Sequence, residues 1–224
     1  METSIKPVLL STGADPSFYT DLSAKNNLRA RWNLSNRDFV IFTIGNLVRP
    51  KGVHIVIEAT KILCSNPLRD NVHLLIVGKG PEESNLKKLV SNFGIDEHVR
   101  FLGHRSRREL LELYNLSDLF VLGSYTEGLP FSLLEAMACK TICICTPVGD
   151  VAKVIKEGHN GFLFAVGDSL ELARKAGLVM SMPFCQAHQI RENARKTVER
   201  HYDLREISEK MIEIVSTHSR KTTP

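Results

Sequence analysis

Residues 118–150 read DLFVLGSYTEGLPFSLLEAMACKTICICTPVGD, and the fold turns on how that stretch divides. Residues 118–123 form a short apolar run, the mark of a strand buried on both faces. A polar loop follows over 124–130, then an apolar helix over about 131–140 and a second buried strand over 141–146. The helix carries Phe131, Leu133, Leu134, Ala136, Met137 and Ala138, so it belongs inside the molecule. Two carboxylates break the pattern. Glu127 lies in the loop and Glu135, eight positions on, lies on the helix. A carboxylate on a buried helix is costly unless something satisfies it.

The flanking chain repeats the same theme. Buried strands are expected at 39–45 (FVIFTIG), 72–78 (VHLLIVG) and 99–103 (VRFLG). Between them the pattern predicts helices over 52–64, over 81–94 with Pro81 in its first turn, and over 107–115 behind the capping-box pair Ser106 and Glu109. Farther on, a helix is expected over 151–158, a turn into a short strand in HNGFLF, and helices over 168–180 and 186–200. Asp203 and Glu206 open a terminal amphipathic helix to about 215, and the tail from 216 should fray. Residues 6–15 suggest a short strand or linker, and Trp32 is expected to pack locally. Apolar strands alternating with helices mean an α/β fold, a doubly wound parallel sheet of Rossmann-like type; the strands are too few for an eightfold barrel. In such a sheet ligands bind at the carboxyl ends of the strands, where Gly45, Gly78, Gly103 and the loop from Gly123 to Pro130 collect.

The net charge of +4 is mild, with acids and bases interleaved. That excludes an extended nucleic-acid surface and leaves room for a preference for anionic ligands. No apolar run is long enough to span a bilayer and the start of the chain lacks a signal-peptide core, so a cytoplasmic protein without a transmembrane segment is expected. Five cysteines, Cys64, Cys139, Cys143, Cys145 and Cys185, sit mostly inside apolar segments and read as core residues of a reducing compartment. Cys143 and Cys145 can share a strand face, but no CxxC pair or Cys/His cluster accompanies them, and no metal site is expected.

Two places carry chemistry. In the loop Gly45-Asn46-Leu47-Val48-Arg49-Pro50-Lys51-Gly52, glycines let the backbone approach an anion, and Lys51 adds charge beside a helix N-terminus. The same residues also read as a turn with a solvated lysine, and Gly78-Lys79-Gly80-Pro81 as a tight turn. The glutamates speak louder: a carboxylate held at a pocket accepts two hydrogen bonds from a vicinal diol, as a ribose or hexose offers. The segment from Gly128 to Ser132 leads into a helix N-terminus whose free N–H groups suit phosphate or sugar oxygens. Hydroxyl acceptors beside anion donors are what a sugar nucleotide requires. The plainer alternative is a solvated loop carboxylate at Glu127 and a backbone cap at Glu135.

The ordered motifs decide between them. G-x-L-V-x-x-K-G at 45–52, IVGKGP at 76–81, FLG at 101–103, SDLFVL, EGLPFSLLE, EAMA and GHNGFLF occur in one order across 8–164. In that set the chain resembles the C-terminal, donor-binding half of GT-B glycosyltransferases of the retaining family 4. The resemblance implies a nucleotide-sugar-binding domain over 39–200, a linker-like segment over 1–38 and a capping helix with its tail over 201–224. It implies that Glu127 and Lys51 are catalytic, Glu127 contacting donor-sugar hydroxyls and Lys51 neutralising the diphosphate. Glu135 holds the ribose, and backbone from Gly128 through Leu129, Pro130, Phe131, Ser132 and Leu133 lines sugar and diphosphate. Gly45, Asn46 and Gly80 border the donor, and His104 and Arg105 border the base. The donor is a substrate rather than a cofactor, a UDP-sugar by family frequency ahead of a GDP-sugar, and the transfer needs no metal.

Two positions depart from the family pattern. Asn46 stands where an arginine is usual, and Asp150 and Lys153 stand where a glycine and a glutamate are usual. The acceptor-binding half is also absent from the sequence, so the resemblance implies an acceptor domain in cis or in trans, with any membrane contact made through that half. A non-catalytic interaction or regulatory module that kept the donor fold is the alternative from another class. A nucleotide-sugar epimerase or glycan phosphorylase is a third, and nothing suggests the pyridoxal-phosphate lysine that a phosphorylase needs.

Overall fold

Six strands pair in parallel in the order β3-β2-β1-β4-β5-β6, the doubly wound arrangement expected. The computed structural model describes residues 13–18, 25–65 and 71–219. In chain order the elements are α1 (Lys25–Arg31), β1 (Phe39–Ile44), α2 (Val53–Cys64), β2 (Val72–Val77), α3 (Glu83–Asn92), β3 (Val99–Gly103), α4 (Arg107–Leu116), β4 (Leu119–Leu122), α5 (Phe131–Ala138), β5 (Ile142–Cys145), α6 (Val151–Val154), β6 (Phe162–Leu163), α7 (Ser169–Met180), α8 (Phe184–His201) and α9 (Leu204–Ser219).

The alternation of side chains along each strand builds two cores. Ile41, Leu74, Ile76, Leu119, Val121, Ile142 and Ile144 face α2, α3 and α7. Val40, Phe42, Leu75, Val77, Phe120 and Leu122 face α4, α5 and α8, and Cys143 and Cys145 join them on that one face. Both faces are therefore dry, which is why the strands read as unbroken apolar runs. Burial pushes both thiols up, Cys145 to about 12, so they pack as small apolar groups.

An ion-pair cluster closes the amino end of the sheet. Asp118 accepts from Lys25 Nζ at 2.7 Å, Arg29 Nη2 at 2.6 Å and the Val40 amide at 2.8 Å. Arg29 is buried and spends its other N–H groups on the carbonyls of Leu116, Asn36 and Asp38. The cluster ties α1 to the starts of β1 and β4.

Several local expectations are corrected. The helix expected over 151–158 stops at Val154, because buried Asn160 accepts from the Lys156 amide (2.7 Å) and donates to the Val154 carbonyl (2.9 Å), pulling the chain into a turn. Pro81 lies in a turn ahead of α3, whose N-cap is Glu82. Trp32 does not pack locally: its indole donates to Glu112 on α4 at 3.1 Å, and its carbonyl accepts from Arg100 at 2.7 Å. α5 ends at Ala138, and Lys140 turns the chain at φ 58° into β5. The terminal helix runs to Ser219, past the start of the tail expected to fray. Of the stretch 6–15, positions up to 12 lie outside the described residues; Ala14 forms an isolated parallel bridge with Asp203. The capping box of Ser106 and Glu109 forms as read.

Candidate functional site

Between β1 and β4 the winding of the sheet reverses, and the loops leaving these two strands diverge to opposite faces. That is where an open α/β sheet leaves a crevice at its carboxyl edge. Lys51 arrives there from the loop after β1, Glu127 from the loop after β4, and they meet: Lys51 Nζ is 2.7 Å from Glu127 Oε1. Ser124 Oγ donates to the same oxygen at 2.7 Å. The Glu127 side chain is 9% exposed, so these two partners supply what its charge lost on leaving water.

Backbone packing sets that meeting. The Tyr125 amide donates to the Pro50 carbonyl at 2.8 Å, joining the two loops. Gly52, at φ 62°, lies so close to Gly123 that a Cβ would sit 1.9 Å from its carbonyl oxygen. Only glycine tolerates both the left-handed backbone and that approach. From the other side, the Asp150 amide donates to the Gly128 carbonyl at 3.0 Å, and Thr146 Oγ1 donates to the Ser124 carbonyl at 2.6 Å.

Glu135 has a separate set of neighbours. Its Oε2 accepts from Tyr114 Oη at 2.8 Å, the tyrosine being fully buried and fixed edge-on by Phe18 and Phe42. Burial raises its pKa above the usual carboxylate range, against the pull of the Tyr114 hydrogen bond and of Arg107. Glu135 also lines a hollow of about 210 Å³, together with Asp15, Phe18, Arg107 and Phe131. Arg107 pairs with Asp15, donates to Ser17 Oγ at 2.8 Å and lies over the Phe18 ring. No hydrogen bond links Glu127 to Glu135 among the described residues. α5 connects them, carrying Glu135 one turn beyond the loop that holds Glu127.

The remaining sequence-predicted residues fall as follows. Pro130 is the N-cap of α5 and has no side-chain acceptor, so the cap side chain takes none of the first N–H groups of the helix. The Leu133 amide is already bonded to the Pro130 carbonyl, and its side chain is fully buried. Phe131 is 57% exposed, Ser132 is half-buried, Gly128 is exposed, and Leu129 packs against the core. Gly45 leaves ordinary van der Waals room beside the Lys51 stem, and Asn46 is exposed. Gly80 packs on the first loop, where a Cβ would meet the Leu47 carbonyl at 2.4 Å. His104 is exposed, whereas Arg105 lies over Trp32 and bonds Glu109 at 3.0 Å.

Sequence reading missed Ser124, Tyr114 and Arg107. Ser124 had a local signal, a hydroxyl three residues ahead of a carboxylate. Tyr114 and Arg107 had none, because each matters through a partner far along the chain.

The chain matches the family model for glycosyl transferases group 1 over residues 24–197. It is 36% identical over 149 residues to the N-acetyl-alpha-D-glucosaminyl L-malate synthase of Bacillus anthracis, an overlap of 66% of this chain and 38% of that protein. It superimposes on HepE of Anabaena, solved in complex with UDP-glucose, with a TM-score of 0.84 and 25% identity, covering 94% of this chain and 57% of that one. The C-terminal domain of the group 1 protein LpcC from Francisella tularensis has a TM-score of 0.77 at 23% identity, covering 86% of this chain and 100% of that domain. The chain spans less than half the length of the curated relatives it matches.

Proposed function

This chain belongs to the glycosyl transferases group 1, as a donor domain, and from that premise we propose that the crevice between β1 and β4 holds the nucleotide-sugar of a retaining hexosyl transfer. The observation that carries the reading is the Lys51–Glu127 contact at the reversal of the sheet. A cation and an acid held together there give the two chemistries a nucleotide-sugar needs, a counter-charge for diphosphate and an acceptor for hydroxyls. In this reading Lys51 moves from Glu127 to the diphosphate as the donor enters. Glu127, still held by Ser124, turns its freed lone pairs to the sugar. The N–H groups at the start of α5 take diphosphate or sugar oxygens, and Glu135 takes the ribose hydroxyls with Tyr114 holding it in place. Electrostatic stabilisation of the departing diphosphate by Lys51 and the α5 end then supplies the catalytic term.

The UDP-glucose complex of HepE favours UDP over GDP as the nucleotide. We place the donor unit at residues 39–200, with the segment before it packing against it; the edge-on contact of Phe18 with Tyr114 and the Arg29–Asp118 ion pair support that, and the Ala14–Asp203 bridge joins that segment to the one after the unit. The acceptor binds on a second domain facing the crevice, in cis or in trans. Calorimetric titration with UDP and with GDP tests the reading, with UDP expected to bind at about micromolar to millimolar Kd. Glu135→Ala should abolish the heat; an unchanged affinity refutes the assignment.

Asn46, uncharged and exposed at the head of the first loop, favours a second reading, a module that binds the donor without turning it over. Binding of UDP-glucose with no hydrolysis or transfer, even with an acceptor domain supplied, selects it.

A further inference from the structure

A second concave site lies between α6 with its following turn and the C-terminal half of α8, enclosing about 520 Å³. Its walls carry six basic side chains: Lys153, Lys156 and His159 on one side, Lys196, Arg200 and His201 on the other. Lys153, at a position where the motif pattern leads one to expect an acid, adds its charge here instead of to the Lys51–Glu127 crevice.

The walls are built rather than incidental. Asn160, fully buried, donates to Thr197 Oγ1 on α8 at 3.0 Å as well as to the Val154 carbonyl. Asn193 on α8 donates to the His159 carbonyl at 3.0 Å. Two amides thus pin the 155–160 turn to the helix and hold the two basic rows facing one another. The charge on these rows is not balanced from within. Lys153 pairs with Asp150, but Lys156, Lys196 and Arg200 have no ion pair among the described residues. The acids close by in sequence pair with other cations, Glu192 with Lys140, Glu199 with Arg195 and Glu157 with Lys175, and of these Glu192 also feels the charge of Lys196 without an ion pair to it. A chain with a net charge of only +4 has therefore gathered unpaired cations into one hollow. Such a cluster costs self-repulsion that an anion relieves.

We propose that this hollow binds a small soluble anion bearing two or more phosphate groups, at a site separate from the donor crevice. Its size is that of a small-molecule pocket. Phosphate oxygens accept from several ammonium and guanidinium groups at once. A bilayer surface shares the phosphate chemistry, but it is broad and flat, whereas the two basic rows line a concavity that a compact anion enters to meet both at once. The proposal stands apart from the reading of the Lys51–Glu127 crevice, since none of its residues belongs to that crevice.

Inorganic pyrophosphate titrated into the 15N-labelled full chain, followed by amide shifts, tests the proposal. Saturating shifts are expected in 154–160 and along 193–202. The double variant Lys196→Gln/Arg200→Gln should weaken them about tenfold or more, the scale of losing charge-assisted hydrogen bonds. Lys156→Gln should weaken them less, and Lys51→Gln should leave them unchanged. All three positions in the hollow are exposed, so these variants should keep the parent spectrum elsewhere. Shifts confined to 45–52 and the start of α5, equal affinity in the double variant, or sedimentation with phosphatidylglycerol vesicles without any pyrophosphate response would each overturn it.

Discussion

The hydroxyl of Tyr114, itself out of contact with water, donates to Glu135 Oε2 at 2.8 Å and so ties a core aromatic cluster to the acid that fronts the Asp15–Arg107 hollow. This bond offsets part of the desolvation that raises the pKa of Glu135. The sign of the linkage follows. A raised carboxylate pKa means the folded state keeps its proton to higher pH than the unfolded chain. The stability this contributes is full below the unfolded value and is lost as pH rises through the folded one.

Glu135→Gln is therefore expected to be more stable than the parent near neutral pH, while losing nucleotide affinity. The difference between their urea midpoints should widen from acid to neutral pH. Tyr114→Phe should move the other way, costing about 1.5–3 kcal/mol as a charged acceptor loses its donor. A parent and Glu135→Gln that track one another across the pH range would remove Glu135 as a strained group.

Arg107 and Asp15 give the opposite limb. The Arg107 guanidinium holds the Asp15 carboxyl down at about 2, with help from Ser17. Its stabilising contribution is present above the ordinary aspartate pKa and fades as pH falls towards about 2. Both groups are well exposed, so the pair contributes only about 0.2–1 kcal/mol. A carboxyl 13C titration should find Asp15 back in the ordinary aspartate range in Arg107→Ala; a value still near 2 would mean that Ser17, not Arg107, dominates.

Asp118 anchors α1 to the sheet. Burial opposes its ionisation, yet Lys25 and Arg29 outweigh that and hold its pKa below the usual value. Asp118→Ala leaves Arg29, 4% exposed, as an uncompensated buried cation. The expected loss is about 3–5 kcal/mol in urea denaturation. A loss below about 1 kcal/mol, the scale of a surface pair, would place the cluster in solvent.

A glycine pair isolates steric demand from backbone demand. Gly52 and Gly94 share a left-handed conformation, φ 62° and 63°, but a Cβ at Gly94 meets nothing within 4 Å. Gly94→Ala should cost about 1–2 kcal/mol, the left-handed penalty alone. Gly52→Ala adds the clash with the Gly123 carbonyl, another 1–3 kcal/mol or so, and should separate the loops that bring Lys51 to Glu127. Equal losses in thermal denaturation would show that the loops are not held by that approach.

Much of this protein was readable before any coordinates. The apolar runs at 39–45, 72–78 and 118–123 read as strands of a covered parallel sheet, and the doubly wound class followed from their alternation with helices. The capping box at Ser106 and the position of Glu135 on an otherwise apolar helix were local facts and stood. Errors gathered where a distant residue intervened. Asn160 ended α6 four residues early by competing for its backbone, and Trp32 found its partner on α4 rather than nearby.

The sequence by itself determined where the main strands and most of the helices lie, that the strands are covered on both faces, and that two acids stand at the loop and helix after β4. It could do so because periodicity and caps are short-range, written within a few residues. Only the tertiary structure decided which groups satisfy those acids: the Lys51 ammonium, 76 positions before Glu127, and the Tyr114 hydroxyl, 21 before Glu135. Those pairings depend on strand order and on two glycines letting backbones touch, and no local pattern encodes the distance across a folded sheet.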